Sequence, residues 1–133
     1  SPAARRLWEG PVMVETHGLY ALNAKSAARA SGASFIDLAS DSLAYFEALG
    51  AQQTKRDFLW LEPDSARPRF PEGVEDNTHF SELGACGVAQ VIAAAMLALP
   101  ATTDLVDSTR FEPPSRPGER PVSVVACAAS LSR

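Results

Sequence analysis

Glu75-Asp76-Asn77-Thr78-His79-Phe80-Ser81-Glu82-Leu83-Gly84-Ala85 holds one of the chain's two histidines and, three residues before it, an aspartate. It also opens the longest apolar helical pattern in the sequence. A carboxylate and an imidazole three residues apart on a turn can fold back on each other. The Asp76 side chain can then accept a hydrogen bond from one ring nitrogen of His79, leaving the other nitrogen free to act as a base. That is the orienter and base of a Ser-His-Asp arrangement, without its nucleophile.

Downstream of this stretch the pattern is helical. Ser81 is a natural N-cap, and Val88, Val91, Ile92, Ala95, Met96 and Leu99 fall at helical spacing until Pro100 stops them. Such a stripe reads as core. Upstream, residues 51–75 lose periodicity: Phe58-Leu59-Trp60-Leu61 forms an apolar patch, followed by Pro63, Pro68, Pro71 and Gly73. A long irregular segment inside a compact domain is often functional. Trp60 and Phe70 are candidates for a sugar-binding wall, or simply anchors of the loop.

Earlier still, Arg6-Leu7-Trp8 and Val12-Met13-Val14 flank Glu9-Gly10-Pro11 and read as a short strand pair. Residues 20–31 are alanine-rich and end at Gly32, which predicts a helix. Ser34-Phe35-Ile36-Asp37-Leu38 is a short apolar run between two helical segments, the α/β signature of a buried parallel strand. Ser40 is expected to cap the next helix, with Leu43, Phe46 and Leu49 buried and Gly50 at its end. His17, just before the first helix, either caps that helix or reaches toward a substrate groove.

The chain has 133 residues, 46% hydrophobic and 21% charged, with net charge −4 and a pI near 5.1. That is enough for one domain with a core. No basic stripe exists to meet phosphates, so neither nucleic acid nor an acidic membrane surface is an expected partner; Arg5-Arg6 is too short to serve. No 18-residue apolar span and no signal peptide stand out. The chain starts Ser1-Pro2 without methionine and reads as a processed product or a piece of something longer. Cys86 and Cys127 make no disulfide framework, and Cys86 fits a small core position. A metal site from His17, His79, Asp76 and Glu75 or Cys86 lacks any HxxxH or CxxC spacing, so no metal or cofactor is expected. Residues 1–100 form the domain, and 101–133 read as a Pro-rich linker or tail with a short apolar end, Pro121 to Leu131.

The stretch Asp76 to Ala85 resembles the last sequence block of the SGNH (GDSL-like) hydrolases, and more closely the rhamnogalacturonan acetylesterase branch of carbohydrate esterases. Other pieces agree in order: Ser1-Pro2 with Arg5-Arg6, Thr16-His17-Gly18 with Tyr20, Phe35-Ile36-Asp37-Leu38, and Pro71-Glu72-Gly73 ahead of Glu75-Asp76. The resemblance covers about residues 1–99. It implies a serine esterase on a flavodoxin-like three-layer α/β/α fold, with Asp76 as the orienting aspartate and His79 as the general base. It also implies an acetylated carbohydrate or small ester substrate and a secreted or periplasmic location. His17 and Trp60 are weaker substrate-binding candidates.

The family's serine sits in a GDS motif and part of its oxyanion hole in a GxND block; neither occurs in this sequence. Ser42 follows Asp41, but Ser40 stands where the glycine should be and the local pattern is a helix start. The chain therefore resembles the C-terminal half of such an enzyme, supplying mainly helices and the last parallel strand. The missing N-terminal half becomes an expected partner, and an isolated chain is expected to be unstable or oligomeric. The alternative is a truncated, non-catalytic relic or interaction module.

Overall fold

The computed structural model describes residues 3–107. It is mixed α/β, with three α-helices and two separate two-stranded antiparallel sheets. The expected N-terminal strand pair is present: β1 (Trp8–Glu9) and β2 (Val12–Met13) pair as Trp8↔Met13 and Glu9↔Val12. Gly10 makes the turn at φ +61°, a conformation that disfavours any side chain. Met13 is buried, and its N–H donates to Glu47 Oε1 at 3.1 Å, tying this hairpin to the second helix.

Helix α1 (Leu19–Ser31) follows the alanine-rich run and stops at Gly32, in the left-handed region at φ +70°. Ala33 N–H reaches Ala28 O and Gly32 N–H reaches Arg29 O, the paired bonds of a Schellman end. None of its residues is buried, and Leu19, Tyr20 and Leu22 are all exposed.

The expected parallel strand at 34–38 is not among the described elements: residues 33–37 carry no strand and Leu38 opens helix α2 (Leu38–Leu49). Among the described residues no strand lies alongside 33–37 to pair with it, and the helix start is fixed by Asp37, whose side chain accepts the Ser40 N–H at 3.4 Å. An Asp at that position captures an orphan amide and starts the helix three residues before the expected Ser40 cap. Ala39, Ser42, Tyr45, Phe46 and Leu49 form the buried face, and Leu43 is only half-buried. Gly50 ends the helix as expected.

The segment read as irregular contains a 3-10 turn (Gln53–Arg56) and strand β3 (Phe58–Leu61). β3 pairs antiparallel with β4 (Val74–Phe80), with partners Phe58↔Phe80, Leu59↔Asp76, Trp60↔Glu75 and Leu61↔Val74. Consecutive residues on β3 thus face positions four apart on β4, and Asn77, Thr78 and His79 bulge out of the ladder.

Helix α3 (Glu82–Ala98) begins where expected, with Ser81 Oγ accepting the Gly84 N–H at 3.2 Å, and ends before Leu99-Pro100. Two glycines let it sit close. A Cβ at Gly84 would overlap the Asp57 backbone, and one at Gly87 would overlap the Tyr45 hydroxyl. Only the first half of the helix is buried; Val91 and Ile92 pack partly against the core. Thr102 Oγ donates to Met96 O at 2.8 Å, folding a second 3-10 turn (Thr103–Leu105) onto the helix end. The proposed apolar end of the tail lies outside the described residues.

The core joins these pieces through aromatics. Phe46 and Phe58 are fully buried, and Phe58 and Phe80 ring centres lie 5.1 Å apart. Phe46 is 5.1 Å from Phe58 and 6.0 Å from Phe80. These tilted pairs fix the residue that directly follows His79.

Candidate catalytic dyad

The bulge in β4 is a polar turn built by Asp76. Its Oδ1 accepts the backbone N–H of Thr78 at 2.6 Å and of His79 at 2.9 Å. Its Oδ2 lies 2.7 Å from His79 Nδ1. A short aspartate commonly satisfies amides two and three residues ahead of it, which is why the chain leaves the ladder here. Backbone donation from His79 is the largest influence on the carboxyl, followed by the His79 ring and the Thr78 amide. Together they hold Asp76 far below its usual value, at about 2.

That ionisation fixes the direction of the bond: a carboxylate can only accept, so Nδ1 donates, and in the neutral ring the lone pair is on Nε2. The imidazole is 76% exposed and the carboxylate 25%. The pair is an exposed imidazole held through Nδ1 by a carboxylate three residues earlier.

Both sides of the turn are anchored. On one side Ser81 N–H donates to Asp57 O at 2.9 Å and Ser81 Oγ–H to Arg56 O at 2.5 Å. On the other, Asn77 Oδ1 accepts from Trp60 Nε1 at 3.0 Å and from Arg6 Nη1 at 3.2 Å. Asn77 O also accepts the Arg6 amide at 2.9 Å. Sequence reasoning missed Asn77 and Arg6. Their only signal was an amide between the two dyad residues, whose distant partners no local pattern reveals.

Trp60 lines a groove of about 600 Å³ with Lys55, Leu61, Glu62, Glu72 and Glu75 among its walls. Its ring is not a bare platform: the Arg6 guanidinium lies 4.7 Å and the Lys55 ammonium 4.5 Å from its centre. Phe70 is engaged by Arg69 at 5.6 Å. His17 is held by Glu15, which accepts from His17 Nδ1 at 2.9 Å and its amide at 2.7 Å, and from Gly18 at 2.8 Å. Its side chain does not cap α1; Gly18 is the N-cap, and the His17 carbonyl receives the Tyr20 amide at 3.1 Å. No hydrogen bond joins His17 to Asp76 or His79.

Ser42 is fully buried. Its hydroxyl donates toward Leu38 O at 2.6 Å and accepts the Ala4 N–H at 2.8 Å. It is a structural link between α2 and the N-terminal segment, out of reach of an ester. Among the described residues no group of three or more His, Cys, Asp or Glu side chains could hold a metal ion, and no helix is long and apolar enough to cross a membrane.

Comparison with known proteins bears on this geometry. No family model and no solved structure matches the chain. It is 38% identical over 104 residues to rhamnogalacturonan acetylesterase RhgT of Bacillus subtilis (strain 168), covering 77% of this chain and 44% of that protein. It is 29% identical over 108 residues to "Probable rhamnogalacturonan acetylesterase YesY" of the same organism, covering 80% of this chain and 45% of the relative. The chain thus spans less than half the length of both curated relatives. It resembles the C-terminal half of rhamnogalacturonan acetylesterases.

Proposed function

We propose that this chain supplies the Asp-His portion of an SGNH-type serine esterase that removes acetyl groups from acetylated carbohydrate such as rhamnogalacturonan. The observation that carries the proposal is the 2.7 Å Asp76–His79 contact through Nδ1 with the imidazole 76% exposed. The names and coverage of the two relatives support the substrate class. On this reading the complementary half provides the serine, the oxyanion donors and the parallel sheet of a three-layer α/β/α fold.

His79 Nε2 takes the proton from the serine hydroxyl as its oxygen attacks the acetyl carbonyl. Asp76 stays ionised and stabilises the imidazolium. The same proton then passes to the departing sugar oxygen, leaving an acetyl-serine. Water, deprotonated by His79, attacks the acetyl carbon; the serine oxygen leaves and takes that proton back from His79, and the acetic acid released ionises in water. Oxyanion donors supply much of the rate in such chemistry, so a chain without them or the serine is expected to be inert alone.

A second reading, a truncated interaction module without catalysis, draws on the burial of Ser42 and the absence of any GDS motif. The test is hydrolysis of an activated acetate ester by this chain alone, beside His79→Ala. No turnover by either is expected. Turnover by the chain that disappears in His79→Ala would mean that it contains its own nucleophile, against the half-site proposal.

A further inference from the structure

The bulged residues 77–79 have no counterpart between Phe58 and Leu59, so the sheet ladder does not fix them. Asp76 organises the turn internally, but its internal bonds do not determine how the turn sits on the molecule. Asn77 provides the outward link. Both groups meeting its Oδ1, the Trp60 indole N–H and an Arg6 guanidinium N–H, are obligate donors, so the amide must present oxygen there. Arg6 is itself fixed: Nη2 donates to Ala51 O at 2.9 Å, its backbone amide donates to Asn77 O, and its guanidinium lies over Trp60. Two segments distant in sequence, at Arg6 and at Trp60, therefore converge on Asn77, one of the two residues between the orienting carboxylate and the base.

We infer that the Arg6–Asn77–Trp60 clamp positions the Asp76–His79 pair, with Asn77 a positioning residue for the base. This inference rests on the dyad reading above. Removing the acceptor frees the turn to sample geometries in which Oδ2 and Nδ1 separate, so the Nδ1–H tautomer loses its stabilising partner for part of the time. Asn77→Asp keeps an oxygen acceptor for both donors and so keeps the clamp.

The chain's two histidines make the test direct. Ring 15N-labelled histidine in the full chain, in whatever assembly it forms, gives two separable imidazoles. His17, paired with Glu15, serves as the internal control. The wild type is expected to show a His79 Nδ1–H signal protected from solvent exchange. In Asn77→Ala that exchange accelerates about tenfold or more and the tautomer mixture moves toward Nε2–H, with His17 unchanged; Asn77→Asp restores the protection. Unchanged His79 protection in folded Asn77→Ala overturns the clamp. If that variant loses the His17 signature as well, Arg6→Lys is read instead: it keeps the charge, removes the Nη1 bond, and is expected to give intermediate exchange. Wild-type exchange in Arg6→Lys counts against the clamp. Asp76→Asn separates the two ideas, because unchanged His79 protection in that variant overturns the dyad itself.

Discussion

Asp76 gathers three donors onto one carboxylate within four residues of chain. Its folded-state value of about 2 lies below the ordinary 3.8, so its bonds stabilise the fold above about pH 4. That contribution is lost progressively as pH falls through the window toward 2. Carboxyl 13C titration is expected to place Asp76 near 2 in the wild type and higher, but still below 3.8, in His79→Ala, which removes the ring donor and keeps both backbone donors. An ordinary Asp76 titration in the wild type would contradict the dyad geometry. Ser42, set aside as a nucleophile for want of the preceding glycine, is a buried structural residue. Ser42→Ala leaves the Ala4 N–H without its acceptor and is expected to cost about 1–3 kcal/mol in denaturant unfolding. It should leave any reconstituted esterase activity unchanged.

Among the elements, α3 depends on two missing side chains. Gly84→Ala would drive a methyl into the Asp57 backbone, which also receives the Ser81 amide at the helix entry. The expected loss is about 1–3 kcal/mol, seen as a lowered denaturant midpoint with unchanged slope. Local signals made much of the fold legible. The hairpin turn at Gly10, the Gly32 and Gly50 helix ends and the Ser81 cap all act within a few residues. The Asp76–His79 contact was legible for the same reason, since the two side chains bond across three positions. Elsewhere two local readings failed for want of long-range information. Phe58–Leu61 shows no alternation, because Phe58 is buried while the next three residues are half-buried, and only pairing with β4 makes it a strand. Phe35-Ile36 looked like a strand, but among the described residues no strand lies beside it to pair with.

At the scale of the whole molecule, apolar surface is left over. α1 buries nothing, Leu19, Tyr20 and Leu22 are 67%, 78% and 58% exposed, and α3 is only half-buried beyond Val88. A large contiguous exposed apolar patch is a mark of an interaction surface. Under the proposed function this surface belongs against the complementary half. Size-exclusion chromatography with light scattering is expected to find the isolated chain self-associated, or poorly cooperative in thermal melts; a monomeric peak with a sharp cooperative transition would argue that the chain is complete in itself. The central claim is that His79, oriented by Asp76, serves a serine held elsewhere. Complementation tests it most directly: hydrolysis of an activated acetate ester is measured after mixing this chain with the serine-bearing N-terminal half of a rhamnogalacturonan acetylesterase. The account predicts turnover only in the mixture, reduced about a thousandfold or more by His79→Ala. A mixture equally active with His79→Ala would contradict it.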